Sequence, residues 1–436
     1  MIETSRRTFL QGTGATLGAG ALLGACGAAI EGKGSRPMPP AAGDWAAVKA
    51  EFALSPGLAH MAGFFLASHP RVVREAIETH RRGLDADPFE YIGQNIKRLE
   101  KEVRRAAADY LGVGPDDVAM TDSTTMGLGI VYGGLVLRPG QEILSTTHDH
   151  IVTAQTLDAR AARSGQPVRR IALYDDPAEA ETGVMADRLA RALRPATRVV
   201  ALTWVHSGTG VKLPIRRLAD VLAQANAGRK PDDRALLFVD GVHGLGVEDV
   251  TMADLGCDFF IAGCHKWLFG PRGTGLVWAR HDAWSAVAPI ITSMDPMWRP
   301  GAHETMPPAA FMTPGGFHSF EHRWAVSEAF RFHLALGKAQ VAARIHALTH
   351  HLKEELARIP RVRLVTPRPP DVSAGIVCFA VEGKSPRQVV AELRHREVVA
   401  SVTPSFYVPG YARLAPGLIT VEADVEKAAA AVRALA

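Results

Sequence analysis

The sequence predicts an α/β fold in which helices cover a mainly parallel sheet. Two observations support this prediction: short apolar stretches recur between residues 118 and 279, and segments with helical periodicity lie between them. Strands that are apolar throughout, instead of alternating, are typical of parallel sheets buried on both faces. The alternation of strand and helix gives repeated βα units. Strands are expected at Val118–Met120, Glu142–Ser145, Val168–Ile171, Val199–Leu202, Leu236–Val239, Phe259–Ile261 and Gly275–Trp278.

Amphipathic helices are predicted before and between these strands. Apolar residues recur at helical spacing in Pro70–Leu84 and Gln94–Tyr110, which precede the first strand. The same spacing occurs in Ala186–Leu193 and Ile215–Ala225, which separate later strands. These segments would supply the helices that cover the sheet.

The C-terminal part of the chain predicts a smaller α+β domain. From about Trp298 the sequence is rich in Pro, Gly and Met, and a long helical run follows from His322 to Ile359. We therefore expect residues 45–300 to form a large domain that includes the N-terminal segment, and residues 301–436 to form a loop and a small domain. The small domain is expected to contain strands at Val362–Val365, Gly375–Val381 and Val398–Ser401 and a helix at Pro386–His395.

The composition is that of an ordinary globular protein. Of the 436 residues, 47% are hydrophobic and 22% are charged, which excludes a disordered chain or a disulfide-based scaffold. The charge balance is 49 − 45 = +4 and the positive charges are not clustered, so nucleic-acid binding is not indicated. The four cysteines form no CxxC pair and no zinc-binding spacing, and no metal site is predicted.

The N-terminus has the features of an export signal. Arg6 and Arg7 form a twin-arginine pattern, and a weakly hydrophobic run rich in Gly and Ala follows them. The run Leu23–Cys26 resembles a lipobox in which Cys26 carries lipid, and the alternative is a plain signal with an incidental cysteine. We expect residues 1–26 to be a twin-arginine translocation (Tat) signal and residues 27–44 a tether. The mature protein would then be periplasmic or otherwise extracytoplasmic, with lipid on Cys26 as an optional membrane anchor.

A lysine and an aspartate follow two buried strands. Lys266 comes shortly after the strand Phe259–Ile261, and Asp240 follows Leu236–Val239, 26 positions before the lysine. The carboxyl ends of parallel strands share one sheet edge, where open α/β sheets bind ligands. Pyridoxal phosphate (PLP) requires both residue types: a lysine that bonds to its aldehyde and a carboxylate that keeps its ring nitrogen protonated. The alternatives are a solvated surface lysine and an aspartate that caps a helical turn.

A turn rich in hydroxyl groups provides a candidate phosphate site. Ser123, Thr124 and Thr125 follow the strand Val118–Met120 and open a helix. Hydroxyl groups and backbone N–H groups at a helix N-terminus bind anions such as the cofactor phosphate. Simple helix capping by these residues is the alternative.

Together these motifs resemble those of the class V aminotransferase family of fold type I PLP-dependent enzymes. The most specific are the segments 239–243 (VDGVH) and 264–268 (CHKWL), and the second is closer to isopenicillin N epimerases than to cysteine desulfurases. The resemblance extends from about residue 50 to the end of the chain. It implies a fold type I transferase with bound PLP. It also implies a homodimer with shared active sites, in which part of residues 301–436 is an interface loop.

The resemblance implies a role for each matching residue. Lys266 corresponds to the PLP-binding lysine that also moves the α-proton, Asp240 to the partner of the ring nitrogen, and His243 to its neighbour at the phenolic oxygen. His150 corresponds to the residue that stacks on the ring, with His148 as the alternative, and a core or surface imidazole is the alternative for each histidine. Cofactor contacts are also implied for Ser123, Thr124, Thr125, Ser207 and His265, and binding of the substrate carboxylate for Arg413.

Three positions depart from the family pattern. Gly263 stands where the family commonly has a Ser or Thr that binds phosphate, and Ser207 stands where it often has Asn. The segment 315–320 corresponds to the loop that enters the partner's active site, but it has Gly-Gly in place of Gly-Thr. Ser319 or His318 is therefore only a candidate phosphate contact.

The cysteine positions limit the reaction. Desulfurases and selenocysteine lyases of the family use a cysteine upstream of the carboxylate-binding arginine, yet no cysteine lies between Val381 and Arg413, and Cys378 lies in a predicted strand. Epimerisation or racemisation, transamination and β-elimination by a C–S lyase-like enzyme remain open, with an amino acid or small peptide as substrate. A non-catalytic PLP-fold binding protein is disfavoured because Lys266, Asp240 and Arg413 are all retained.

Overall fold

The computed structural model describes residues 40–41, 43–294, 306–404 and 409–436. The predicted export signal with Cys26, most of the predicted tether and the predicted boundary at residues 300 and 301 lie outside the described residues. The chain from Met38 to Ala436 forms one compact unit. None of the described helices is long and apolar enough to cross a membrane.

Two long helices precede the central sheet. The predicted helix at Gln94–Tyr110 begins earlier, at Pro88, because the Asp87 side chain accepts a hydrogen bond from the backbone N–H of Glu90 and proline is favoured in the first helical turn. It ends at Gly112, whose φ of +71° suits a helix C-terminus. The elements of this part are α1 (Trp45–Ala50), β1 (Ala59–His60), α2 (Arg71–Ala86) and α3 (Pro88–Leu111).

Seven strands form the central sheet, and each was predicted to within two residues at both ends. They are β2 (Val118–Thr121), β3 (Glu142–Thr146), β4 (Val168–Ile171), β5 (Thr197–Thr203), β6 (Leu236–Asp240), β7 (Phe259–Gly263) and β8 (Gly275–Ala279). The order across the sheet is β2-β8-β7-β6-β5-β3-β4, and β8 alone runs in the direction opposite to the other six strands. The mainly parallel sheet confirms the predicted fold class.

Apolar side chains are buried on both faces of this sheet, which explains why its strands lack a polar alternation. Phe259 belongs to one hydrophobic cluster and Phe260 to another, on opposite faces of β7. Helices from the βα connections cover these clusters. They are α4 (Thr124–Gly133), α5 (Ile151–Ser164), α6 (Thr182–Ala192), α7 (Ile215–Ala225) and α8 (Met252–Leu255).

The strand register brings several predicted site residues to one edge. Thr203 at the end of β5 pairs with Asp240 at the end of β6, and Asp240 pairs with Ile261 near the end of β7. These strands are parallel, so the turns that follow them open on the same side. This edge carries the candidate site.

The predicted helical run from His322 to Ile359 is wrong as a single helix. Gly337 adopts φ +82°, a left-handed conformation that other residues avoid, and it divides the run in two. The helices of this part are α9 (Pro308–Met312), α10 (Phe320–Leu336) and α11 (Lys338–Ala357).

A second, antiparallel sheet lies in the C-terminal part of the chain. The predicted strand at Val398–Ser401 is wrong as one strand, because Val398–Val399 pairs with β1 and Ser401–Val402 pairs with a strand that was not predicted. The sheet order is β12-β13-β10-β9. Here the elements are β9 (Val362–Leu364), β10 (Val377–Val381), α12 (Pro386–His395), β11 (Val398–Val399), β12 (Ser401–Val402), β13 (Ala412–Leu414) and α13 (Glu422–Arg433).

Candidate functional site

A cavity of about 440 Å³ opens at the carboxyl edge of the central sheet. Turns that follow five strands of the sheet contribute to its wall, together with residues of the C-terminal part. The structure brings together most of the residues for which the sequence implied a cofactor or substrate contact. These are Ser123, Thr124, Thr125, His150, Ser207, Asp240, His243, His265, Lys266 and Arg413.

Asp240 places a buried carboxyl group in the cavity wall. It ends β6, is only 4% exposed, and its Oδ1 accepts a hydrogen bond from the backbone N–H of Val242 at 3.2 Å. This hydrogen bond is the turn-capping interaction that the sequence left open as the alternative to cofactor binding by Asp240. It involves only one of the two carboxyl oxygens. Burial raises the pKa of Asp240 to about 6, with a further rise from Asp149 and an opposing effect of Lys266. A cationic ligand group beside this carboxyl would offset the cost of its burial.

Lys266 is half-buried beside a neutral histidine. Its Nζ lies 3.2 Å from Nε2 of His243, and burial lowers the pKa of Lys266 to about 8. Burial also holds the pKa of His243 well below its usual value, and the positive charges of Lys266 and Arg413 lower it further. A solvated surface lysine is therefore the wrong interpretation. A lysine with this pKa has an appreciable neutral, nucleophilic fraction at physiological pH.

The structure distinguishes between the two candidate stacking histidines. His150 borders the cavity and caps α5, where its Nδ1 accepts a hydrogen bond from the backbone N–H of Val152. Burial, together with the positive charges of Lys266 and Arg413, lowers the pKa of His150 to about 4. His148 instead stacks on Tyr174, with ring centroids 3.8 Å apart, and lies outside this cavity. His150 is thus the one placed to contact a ring there.

The hydroxyl-rich turn lies at the start of α4, on one side of the cavity. Ser123 Oγ accepts a hydrogen bond from the backbone N–H of Met126, so Ser123 caps the helix as the alternative proposed. Thr124 Oγ1 accepts from the backbone N–H of Gly263 at 2.8 Å and ties the turn to the end of β7. The helix N-terminus still makes this side of the cavity favourable for an anion.

The structure gives a reason for glycine at position 263. A Cβ atom there would lie 2.8 Å from Cε1 of His265 and 3.0 Å from Oγ1 of Thr124, closer than side chains pack. The imidazole of His265 therefore occupies the space that a side chain at 263 would need. Its Nδ1 is buried, and the residue borders the cavity.

Arg413 brings a positive charge to the cavity from the second sheet. It lies on β13 and is 3% exposed, and its Nη1 donates to the backbone carbonyl of Ser207 at 2.9 Å. Further bonds from Nη2 to the carbonyl of Val402 and from Nε to Oγ of Ser401 hold the guanidinium in place. The C-terminal part of the chain thus reaches the site, as predicted, and the contact with Ser207 uses its main chain.

Asp149 is a positioning residue that the sequence reading did not identify. Its Oδ2 accepts hydrogen bonds from Oγ of Ser145 and from the backbone N–H and hydroxyl of Thr146, and its Oδ1 accepts from the backbone N–H of Thr203 at 2.6 Å. These bonds join the ends of β3 and β5 and fix the turn that carries His150. The acidic residue within the turn 147–150 was the available signal.

The sequence analysis also did not identify the apolar entrance of the cavity. Phe64, Phe65 and Leu66 line it, and Phe65 and Leu66 are 67% and 46% exposed. They lie in the connection between β1 and α2, where no periodicity or motif marks them. Only the tertiary fold places this connection next to Arg413, whose guanidinium lies 4.8 Å from the centre of the Phe64 ring.

The candidate phosphate contacts in the segment 315–320 do not border this cavity. His318 lines a separate cleft with Glu100 and Arg323, and Ser319 directly precedes α10. A role for either residue in a partner's site therefore remains a prediction.

The described cysteines do not supply a reactive thiol. Cys257, Cys264 and Cys378 are buried and none borders the cavity. Burial raises the pKa of Cys264 and of Cys378 to about 12, so both stay protonated. No cluster of side chains suited to a metal ion occurs among the described residues.

Comparison with known proteins identifies the family. The sequence profile of the family "Aminotransferase class-V" matches residues 68–407, which is most of the chain. This chain belongs to the class V aminotransferase family. The resemblance that the sequence motifs suggested is therefore confirmed, and so are the assignment as a PLP-dependent enzyme and the fold type I architecture.

Relatives of known activity are similar over most of their length. The isopenicillin N epimerase of Streptomyces clavuligerus is 27% identical over 416 residues, which cover 91% of this chain and 99% of that protein. The isopenicillin N epimerase of Amycolatopsis lactamdurans is 26% identical over 80% of this chain and 87% of its own. Among solved structures, a cystine C–S lyase in complex with cysteine persulfide has a TM-score of 0.76 at 23% identity and covers 87% of this chain and 98% of its own. That likeness shows the fold.

The residues present fit PLP, the cofactor of the class V aminotransferase family. The cavity has the volume for the cofactor, and its wall presents a buried carboxyl for the ring nitrogen and an amine of lowered pKa for the aldehyde. The start of α4 suits the phosphate, and the His265 side chain lies in the same cavity wall. Asp240, Lys266, His243 and the turn 123–125 would therefore hold the cofactor.

Proposed function

We propose that this enzyme removes the α-hydrogen of an amino acid or small peptide and acts as an epimerase or racemase, with transamination as the second assignment. The observation that carries the proposal is the Lys266 amine of lowered pKa beside a neutral His243, in a cavity that no described thiol borders. An amine of this kind can accept and return a proton, whereas sulfur transfer needs a thiolate. The similarity to isopenicillin N epimerases supports the same assignment.

Each residue has a chemical task in this proposal. When bound, PLP supplies an electron sink that weakens the α-C–H bond of the substrate. Arg413 pairs with the substrate carboxylate and orients the α-carbon. Lys266 takes up the α-proton at Nζ and returns it. Asp240 keeps positive charge at the ring nitrogen, and its burial prevents water from screening that charge.

A β-eliminating lyase is the alternative to epimerisation and transamination. The same lysine would remove the α-proton, and a substrate with a leaving group on its β-carbon would then lose that group. A non-catalytic PLP-binding protein is a further alternative, but Lys266, Asp240 and Arg413 all border the one cavity, which binding of the cofactor alone does not require.

A panel of amino acids and short peptides tests these assignments. Each substrate is scored separately for loss of optical purity, keto-acid release and sulfide release, with the Lys266→Ala variant as the blank. Loss of optical purity alone supports epimerisation, keto acid formed only with an amino acceptor supports transamination, and sulfide or pyruvate from cystine or cysteine supports elimination. No reaction with any substrate, together with an unchanged cofactor spectrum, would contradict a catalytic role.

Arg413→Lys tests the substrate-binding task. The lysine keeps the positive charge but loses the planar fork, so we expect KM for the amino acid to rise by about tenfold while the PLP absorbance stays intact. Steady-state kinetics and the absorbance spectrum check this. Loss of the cofactor absorbance would instead mean that the hydrogen bonds of Arg413 to Ser207 and Val402 serve only the structure.

We also propose a homodimer with shared active sites. Exposed apolar side chains support it: Phe317 is 74% exposed and Ile290 is 54% exposed. Their segments lie side by side, since the backbone N–H of Gly315 donates to the carbonyl of Thr292. Such a patch on a soluble surface favours a partner. Sedimentation that gives the mass of one chain at micromolar concentration would contradict this proposal.

Export through the Tat route is proposed from the N-terminal sequence. Because this route carries folded proteins, the cofactor would be bound before export. Replacing Arg6 and Arg7 with lysine should therefore leave active, PLP-loaded enzyme in the cytoplasm, as cell fractionation with absorbance and activity assays would detect. Unchanged export would indicate a general secretory signal instead.

A further inference from the structure

Trp267 makes a hydrogen bond that determines where His243 carries its proton. The indole Nε1–H of Trp267 lies 3.3 Å from Nδ1 of His243, and both groups are buried. An indole nitrogen can only donate, so Nδ1 of His243 must be the acceptor. A neutral imidazole carries one proton, and in this arrangement that proton is on Nε2.

The second nitrogen of His243 faces the lysine. Nε2 lies 3.2 Å from Nζ of Lys266. If Nε2 carries the proton, Nζ must accept it in a hydrogen bond, which only a neutral amine can do. The reverse tautomer would present a lone pair to Nζ and would favour the ammonium form.

The indole has little freedom to leave this position. Trp267 is 3% exposed, and a Cβ atom at Gly375 would lie 2.5 Å from Cη2 of the indole. The Phe64 ring packs on the other side, with centroids 6.2 Å apart and an angle of 29° between the planes. Because residue 375 is a glycine, there is space for the Trp267 indole beside it. Packing in this space fixes the direction of the indole N–H.

We propose that Trp267 is a positioning residue that holds His243 in the Nε2–H tautomer and thereby keeps the Lys266 amine neutral and ready to bond to the cofactor. The proposal concerns residues of this chain and rests on the proposed function only in assigning Lys266 to PLP. With PLP bound, the same N–H is the group available to the phenolic oxygen of the ring. A phenylalanine at 267 would fill the slot without donating.

Other charged and titratable groups that act on this pair must be considered in the test. Arg413, His150 and His265 face His243, and Asp240 acts on Lys266. All four groups are unchanged in the variants below. A difference between these variants in the pH dependence of PLP attachment therefore shows the effect of the Trp267 indole N–H.

The test is the pH dependence of covalent PLP attachment to the full-length protein after removal of the cofactor. The rate is measured by absorbance and by borohydride trapping for wild type and for Trp267→Phe. Without the indole donor, His243 can present a lone pair to Lys266 and favour the ammonium form of the lysine. The midpoint of the pH profile of PLP attachment should therefore shift upward by about one pH unit, which is a tenfold change in the ratio of amine to ammonium. Trp284→Phe is the matched control: Trp284 is also 3% exposed, but its Nε1 has no hydrogen-bond partner among the described residues. Its midpoint should equal that of wild type.

The tautomer can also be read directly. Nitrogen-15 spectra of histidine-labelled wild type, with the His243 signal assigned by its absence in His243→Gln, should show a proton on Nε2 and none on Nδ1. A proton on Nδ1 would overturn the proposal even if Trp267→Phe failed to fold, and so would equal midpoints for Trp267→Phe and wild type. Neither measurement uses turnover, so a wrong assignment of the reaction would leave both results unchanged and would appear in the product panel instead.

Discussion

Lys266→Ala is expected to abolish the visible absorbance of bound PLP and to lower turnover by at least about 10²- to 10⁴-fold, the range typical of a lost general acid–base group. The reason is that Lys266 supplies the only lysine amine that borders the described cavity, so neither the covalent bond nor the proton transfer has a substitute. The absorbance spectrum of the purified variant with added PLP and its turnover on the panel substrates check this result.

Lys353→Met is the matched control for this prediction. Lys353 is 3% exposed and burial lowers its pKa to about 8, as for Lys266, but its Nζ donates to the carbonyls of Pro367 and Arg368 and to Oγ of Ser373, away from the cavity. The control should lower the free energy of unfolding and keep the PLP absorbance. A chromophore that borohydride still fixes covalently to Lys266→Ala would contradict the assignment.

Asp240→Asn is expected to lower turnover by about 10²- to 10³-fold while the protein still folds. The amide keeps the shape but removes the charge that holds the ring nitrogen protonated, and breaking a buried charge pair costs roughly 3–5 kcal/mol. Burial raises the pKa of the Asp240 carboxyl from 3.8 to about 6 in the folded protein. The free energy of unfolding of the cofactor-free protein therefore falls as the pH rises from about 4 to 6, because ionisation of this carboxyl is easier in the unfolded chain. The cofactor-free variant should therefore be at least as stable as wild type at neutral pH, as thermal unfolding would measure.

Asp258→Asn provides the comparison at the opposite edge of the sheet. Asp258 is 7% exposed, and it accepts a hydrogen bond from the backbone N–H of Leu237 and pairs with Arg280. Burial raises its pKa as well, but it lies outside the cavity. Its amide variant should lose stability and keep its turnover. Wild-type turnover by PLP-loaded Asp240→Asn would contradict the role of Asp240.

The sequence was sufficient to predict the central sheet and the convergence of the site. Strands such as Leu236–Asp240 are apolar throughout because both faces are buried, and that pattern is local. Once these strands are parallel, the groups that follow them must meet at one edge, which is why Asp240 and Lys266 could be placed together from their positions alone.

The features that the sequence did not predict depend on tertiary contacts or on single backbone angles. The choice between His148 and His150 is decided by the stacking of His148 on Tyr174, and the division of the long helical run depends on φ at Gly337. The approach of Phe64 to Arg413 joins residues about 350 positions apart in the chain. The bond from Trp267 to His243 requires the folded loop to bring the two rings together.

Exchange of the α-hydrogen with solvent tests the central claim most directly. Wild type, Lys266→Ala and Lys353→Met are incubated in D₂O with single enantiomers from the panel, and the products are analysed by mass spectrometry and chiral chromatography. The account predicts that wild type and Lys353→Met introduce deuterium at the α-carbon of a substrate as its optical purity falls, and that Lys266→Ala does neither. Exchange that persists in Lys266→Ala, or turnover by wild type without any α-deuterium in substrate or product, would contradict it.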